Sequence, residues 1–235
     1  MINMQNYAKI PFAPFKKFAA LSICLGLAAT QLVCADDLMP LKLKLPAAAF
    51  VGTPKDIPTG ANIEKPTGKP RPDLMVPADV KNLAPGSKIT CSDSNVTPEA
   101  LAKIVDGNKE ANDANVVLVH KGVQYVQFDL DSDQEIFAIV FWHAHDSPKV
   151  YHDVIVQVSD DANFKDGVKT LFNNDIENIA HLGAGTDREY FETNEGKLID
   201  AKGAKARYVR LYSKGSTDSA LNEYTEVEIY GRPAK

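Results

Sequence analysis

The sequence predicts an all-β fold, an antiparallel β-sandwich with a proline-rich segment before it. After residue 85, short runs of β-branched and aromatic residues alternate with turn residues, which is typical of antiparallel strands. No alternation of helical and strand patterns occurs, so a parallel α/β fold is disfavoured. Hydrophobic residues make up 44% of the chain, enough for one packed core.

The N-terminus has the pattern of a secretory signal peptide, predicted to span residues 1–35. Lys16 and Lys17 precede an apolar run at residues 18–33, and Ala35 is followed by acidic residues. An uncleaved membrane anchor is the alternative, but the run is short for a spanning helix and no basic stop follows it. We therefore expect cleavage near Ala35 and a secreted, periplasmic or cell-surface protein without a membrane span in its mature chain.

The cysteines exclude a disulfide framework in the predicted mature chain. Cys24 and Cys34 lie in the predicted signal peptide, which leaves Cys91. One cysteine cannot form an internal disulfide, so stability must come from the core. A lipid anchor on Cys34 is disfavoured because Val33 stands where a small residue is usual.

The charge of the chain argues against a nucleic-acid partner. The formal net charge is -5 and the isoelectric point is near 5.6. Phosphate binding needs a concentrated basic face, and the sequence has no basic run that would form one.

Residues 36–85 form a predicted proline-rich segment, distinct from a sandwich domain at residues 86–235. Prolines recur every few residues from position 41, and each removes a backbone donor and fixes φ. We expect an extended segment with little regular structure. Residues 74–80 are predicted to pack on the domain, and the remainder is either a tether or a further packed stretch.

Six strands and one short helix are predicted within the sandwich. The helix begins after Thr97, a good N-cap followed by Pro98. Val126 and Phe128 alternate with polar neighbours, which predicts one buried face, whereas residues 135–143 are apolar on both faces and predict a central strand. The predicted strands are residues 125–130, 135–143, 154–159, 188–192, 207–213 and 225–230.

Four of these segments resemble a known family when taken in order. They read YVQFDL at 125–130, VIVQVSDD at 154–161, ARYVRLY at 206–212 and EVEIYG at 226–231. This series resembles the F5/8 type C, or discoidin-like, domain over about residues 85–232. The resemblance implies a galactose-binding-like jelly roll whose loops at one end bind carbohydrate, lipid headgroups or proteins, as in bacterial carbohydrate-binding modules.

The sequence departs from the family pattern at several positions. Tyr125 replaces the opening tryptophan of the first signature, and Asp131 replaces its closing glycine. The threonine and tryptophan that usually follow the aspartate-glycine turn are absent after Gly107. Cys91 has no partner cysteine near Gly231, unlike the pair in animal members.

A structural calcium ion is predicted at the turn that begins with Asp106. Hard cations need several oxygen ligands, and a tight turn offers carboxylate, amide and carbonyl oxygens together. By the resemblance, the glutamate that opens the terminal strand would complete the site. The predicted ligands are Asp106, Asn108, Asp113 and Glu226. The alternative is an ordinary loop without an ion.

The stretch FWHAHDSPKVYHD at residues 141–153 contains three of the five histidines. His143 and His145 could share a transition metal with His152, but no further ligand follows at a usual spacing. A glycosidase would need two facing carboxylates, and the candidates are Asp146, Asp153, Asp187 and Glu189. Neither enzymatic interpretation is supported by a recognised motif.

The preferred interpretation is a non-catalytic module that binds a glycan or cell-surface polysaccharide. Sugars are held by planar polar groups and by an aromatic ring that stacks on the pyranose. Such a module must present an exposed aromatic ring in a concave loop region, so burial of both Tyr190 and Tyr224 would remove most of the support for this function. The predicted ligand contacts are His143, His145, Tyr151, Arg188, Tyr190, Asn222 and Tyr224. The alternative is an adhesive or structural domain that binds another exported protein.

Overall fold

The computed structural model describes residues 37–50 and 57–234, so the predicted signal peptide lies outside the described residues. Residues 36–235 group as one compact unit. In the described ranges no helix is long and apolar enough to cross a membrane. The strands are β1 (Leu38–Pro40), β2 (Met75–Pro77), β3 (Lys81–Asn82), β4 (Lys88–Cys91), β5 (Val117–Val119), β6 (Gln124–His143), β7 (Ile155–Ser159), β8 (Lys169–Asn173), β9 (Lys197–Ser213) and β10 (Asn222–Pro233).

The predicted antiparallel β-sandwich is confirmed, and two long bent strands build it. The first half of β6 pairs with β4 and with the second half of β9. The second half of β6 pairs with β10 and with the first half of β9. Side chains from both halves of β6, such as Phe128 and Phe141, belong to one buried core cluster. The two halves of the sheet therefore face each other across that core.

The bend in β6 lies where the sequence is most polar. Asp131 has a positive φ of 66°, and its amide donates to the carboxylate of Asp129 at 2.9 Å. Arg207 on β9 donates two hydrogen bonds to the same carboxylate, at 2.7 and 2.8 Å. The pairing register between β6 and β9 shifts at this point, where aspartate adopts a left-handed conformation that it tolerates better than most other non-glycine residues.

Five of the six predicted strand segments are strand in the structure. Residues 125–130 and 135–143 are strand, but they form one continuous element, β6. Val126 and Phe128 are buried as predicted, and every residue from 138 to 145 is buried, as expected for a central strand. The helix α1 (Pro98–Leu101) begins at Thr97, whose side chain accepts from the amide of Ala100.

The prediction of a strand at residues 188–192 is wrong. This stretch makes only isolated bridges, between Glu189 and Ile63 and between Phe191 and Val150. The short strands β1 to β5 and β8 were not predicted. The first half of β9 was missed because charged and small residues dilute its strand signal.

The proline-rich segment packs along the sandwich in its described parts. β1 pairs with β2, and the amide of Glu64 donates to the carbonyl of Glu189 at 2.8 Å. The guanidinium of Arg71 donates to the carbonyls of Glu195 and Gly196 at 3.0 and 2.7 Å. These bonds fix the segment against the loop between β8 and β9.

Candidate functional site

One end of the sandwich carries the loops predicted to bind a ligand. Both ends of β6 lie there, because Gln124 pairs with Ser213 and His143 pairs with Tyr224. The hydroxyl oxygens of Ser213 and Tyr224 are 2.9 Å apart. The loops at residues 144–154, 174–196 and 214–221 all leave the sheets at this end.

The aromatic cluster predicted to contact ligand is buried beneath these loops. His143 stacks on Tyr151, with 4.1 Å between ring centroids and 15° between planes, and Tyr224 lies 4.7 Å away. The exposed fractions of these residues are 0%, 0% and 1%. The prediction that His143, Tyr151 and Tyr224 line an exposed binding cleft is therefore wrong, because a buried ring offers no face to a sugar.

The other predicted contacts are divided between the interior and the surface. Tyr190 is only 5% exposed, and its ring lies 4.4 Å beneath the ammonium of Lys197. Asn222 is fully buried, and its amide donates to the carbonyls of His120 and Gly122. Tyr190 and Asn222 thus hold the loops together. Because Tyr190 and Tyr224 are both buried, the sugar-binding interpretation loses the two rings on which it mainly relied. Arg188 is exposed, as a ligand contact requires.

The histidines do not form a metal centre in the part of the chain that the structure describes. His143 Nδ1 lies 3.1 Å from Glu192 Oε2, and His145 Nε2 lies 2.8 Å from the carbonyl oxygen of Lys109. His152 Nδ1 instead contacts Glu189 Oε1 at 2.7 Å. The described ranges contain no group of three or more histidine, cysteine or acidic side chains able to hold a metal.

The carboxylates considered for acid-base catalysis hold the loops in place. Asp146 pairs with Lys149 at 2.9 Å, and Asp187 accepts from the amide of Asn173 at 2.7 Å. Asp153 pairs with Lys214, although burial and the nearby Asp175 raise the pKa of Asp153. Glu189 contacts a histidine, as described above. Each carboxylate has a local structural partner, so no opposed catalytic pair stands out.

The predicted calcium ligands make contacts with the protein itself in the structure. Asp106, Asn108 and Asp113 are exposed, and the carboxylate of Glu226 accepts from the amide of Gly107 at 3.1 and 3.2 Å. Burial raises the pKa of Glu226 to about 8. Asp106 adjoins Gly107 and so lies near Glu226, but the described residues hold no group of three or more histidine, cysteine or acidic side chains able to hold a metal.

A groove of about 420 Å³ lies beside the buried cluster, at the same end of the sandwich. One wall is the proline-rich segment at residues 64–70, and the other is the loop at residues 190–195. We call it the segment groove. Its described lining comprises Ala49, Phe50, Ile57, Glu64, Lys65, Pro66, Thr67, Gly68, Lys69, Pro70, Pro148, Tyr190, Phe191, Thr193, Asn194 and Glu195.

The loop that forms the second wall is held from both sides. The indole Nε1 of Trp142 donates to the carbonyl of Asn194 at 3.0 Å, and the Asn194 amide donates to the carbonyl of Pro46 at 3.1 Å. The amide of Arg71 donates to the Glu195 carboxylate at 3.3 and 3.4 Å. The groove therefore has a wall fixed in place before any ligand binds.

The segment groove presents aromatic and polar groups together. Phe50 and Phe191 are partly exposed, and Asn194 and Glu195 lie on the same lining. The carboxylate of Glu64 pairs with Lys197 at 3.1 Å, so its charge is compensated. Sequence reasoning missed these residues because no local pattern links the proline-rich segment to a loop more than a hundred residues later.

The comparisons with known proteins find a distant likeness to solved structures. The sequence matches no protein-family profile and no curated protein. The CBM32 of AlyQ in complex with 4,5-unsaturated mannuronic acid is 20% identical over 60% of this chain and 92% of that chain, with a TM-score of 0.43. A fucose binding module from Streptococcus pneumoniae is 17% identical over 64% of this chain and 97% of that one, with a TM-score of 0.41.

The solved structures that resemble this chain include further CBM32 modules, such as one produced by Clostridium perfringens. A family 89 glycoside hydrolase from Clostridium perfringens is 14% identical over 65% of this chain, with a TM-score of 0.45. The chain spans only 15% of that hydrolase.

Proposed function

We propose that this chain is an exported, non-catalytic module that binds a glycan, and that the glycan lies in the segment groove. The observation that carries the proposal is the joint lining of that groove by Phe191 and by the planar polar groups of Asn194 and Glu195. A partly exposed ring can stack on the apolar face of a sugar, and planar amides and carboxylates can bond its hydroxyls. The ligand contacts of the proposal are thus groove residues and not the buried cluster.

The arrangement of the groove suits recognition better than chemistry. Glu64 is paired with Lys197, and the carboxylate of Glu195 is held by the backbone amide of Arg71. A glycosidase needs one carboxyl group free to give a proton and a second free to attack or to activate water. Carboxylates held by structural partners serve orientation and hydrogen bonding instead.

A second candidate function is binding to another exported protein through the small sheet of β1 and β2. This sheet exposes three large apolar side chains, with exposed fractions of 59% for Leu38, 47% for Met39 and 49% for Met75. Neighbouring exposed apolar side chains are a common feature of protein contact sites. In this second candidate function, the partner protein binds the proline-rich segment at β1 and β2, and the segment groove binds no ligand.

A glycan array probed with the compact unit at residues 36–235, with and without a chelator, tests the proposal. Phe191→Ala should weaken binding to any captured glycan at least about tenfold, because it removes the stacking ring. Phe164→Ala is the matched control, since Phe164 is a partly exposed ring in the loop between β7 and β8, at the opposite end of the sandwich.

The same array separates the two candidates. Binding that survives in the Phe164→Ala protein and is lost in the Phe191→Ala protein, with both proteins folded, supports the groove. No binding to any glycan at high protein concentration contradicts glycan recognition and favours the protein-partner candidate. Equal binding by both variants would place the glycan site elsewhere.

A further inference from the structure

Two glutamates of β10 are buried on the outer face of their sheet. Val227 and Ile229 point into the core, so Glu226 and Glu228 point to the opposite side. Their exposed fractions are 1% and 7%. Neighbouring buried carboxylates are costly to ionise without a positive partner, because burial removes the water that stabilises them.

The positive partner comes from the turn where calcium was predicted. Lys109 is 6% exposed, and its ammonium lies 2.7 Å from a carboxylate oxygen of Glu228. The same ammonium lies 4.9 Å from the ring centroid of Trp142. Trp142 is the residue of β6 that pairs with Glu226 of β10. The hydroxyl of Tyr230 donates to the other oxygen of Glu228 at 3.1 Å.

Three oxygens of the turn already take part in hydrogen bonds. A side-chain oxygen of Asp106 accepts from the amide of Asn108 at 2.8 Å, and the Asn108 side chain accepts from the amide of Glu110 at 3.2 Å. The carbonyl of Lys109 is bonded to His145. A calcium ion would have to displace these bonds and compete with an ammonium already beside the carboxylates.

We propose that Lys109 is an internal cation that replaces a metal ion, so that the loop at residues 106–116 is fastened to the outer face of the sheet without calcium. One ammonium group neutralises Glu228 and faces Trp142, in the same turn whose Gly107 amide donates to Glu226. His145, predicted to contact ligand, instead fixes the carbonyl of this lysine. The inference concerns stability and does not depend on the proposed glycan site.

Thermal unfolding of the compact unit Asp36–Lys235 tests the proposal. The melting temperature should be the same in millimolar calcium chloride and in EDTA. Lys109→Met keeps most of the side-chain volume and removes the charge, and it should lower the melting temperature by about 10 °C. Lys103→Met is the matched control, because Lys103 is an exposed lysine of the same region that donates to the carbonyl of Ala114. It should leave the melting temperature nearly unchanged.

A double variant keeps the test decisive if Lys109→Met does not fold. Lys109→Met combined with Glu228→Gln removes both charges, and it should unfold at a higher temperature than Lys109→Met alone. Stoichiometric calcium binding by the unchanged protein in calorimetry, or a rise of its melting temperature with calcium, would overturn the proposal. A double variant no more stable than the single one would also overturn it.

Discussion

The Nδ1 atom of His143 lies 3.1 Å from Oε2 of Glu192, and neither side chain has any exposed surface. This contact joins the end of β6 to the loop that carries the groove residues Phe191 and Asn194. The contact between His143 and Glu192 therefore supports the segment groove from beneath, and we call this contact the brace. Because both side chains are fully buried, they hold the groove loop in place without lining the groove.

Removing the brace should destabilise the protein. Glu192→Ala leaves His143 Nδ1 without its buried partner and opens a cavity, so we expect a loss of about 3 kcal/mol in the free energy of unfolding. Glu189→Ala is the matched control, because Glu189 makes a similar contact with the partly exposed His152. It should cost less than about 1 kcal/mol. Urea titration gives both values, and equal losses would contradict the brace.

The burial of His143 could have been predicted from the sequence. It follows Ile139 and Phe141 at a spacing of two, on a strand that is apolar on both faces, and all three side chains are buried in the structure. Alternation therefore places the imidazole with the core residues. The chemical character of histidine favoured a surface role, and the strand period was the stronger signal.

The groove could not be predicted, because its two walls are far apart in the chain. Arg71 meets Glu195 across 124 residues, and the proline-rich segment has no period that would indicate its partner. Strand alternation gives faces and proline gives extension, but neither specifies which loop an extended segment contacts. The contact between Lys109 and Glu228 could not be predicted either, since only the fold brings these two residues together.

Arg71 should control whether the proline-rich segment stays on the sandwich. Arg71→Ala removes the guanidinium bonds to the carbonyls of Glu195 and Gly196, so residues 62–71 should exchange amide hydrogens at least about tenfold faster. Lys42→Ala removes an exposed ion pair with Asp73 and should leave this exchange unchanged. Unaltered exchange in the Arg71 variant would mean that other contacts hold the segment.

The bend in β6 should make stability depend on pH in the acid range. Hydrogen bonds from Arg207 hold the pKa of Asp129 below its ordinary value of 3.8. A depressed native pKa stabilises the folded state above the unfolded pKa, and this contribution is lost as the pH falls through the native value. Asp129→Asn should therefore lower the melting temperature by a few degrees at neutral pH, and the difference should vanish in strong acid. A difference that is constant across this range would show that the charge of Asp129 has no part in it.

The turn that ends the groove loop depends on the absence of a side chain at Gly196. Its φ is 64°, and an added Cβ would lie 2.6 Å from Trp142 Cε2 and 2.8 Å from the carbonyl oxygen of Phe141. Gly196→Ala should cost more than about 3 kcal/mol in unfolding free energy, because the indole that anchors Asn194 must move. Gly183→Ala isolates the backbone cost, since Gly183 also has a positive φ but open space around its Cβ position, and it should cost about 1 kcal/mol. Denaturant unfolding of both variants separates the clash from the strain, and similar losses would mean that the tryptophan moves aside without cost.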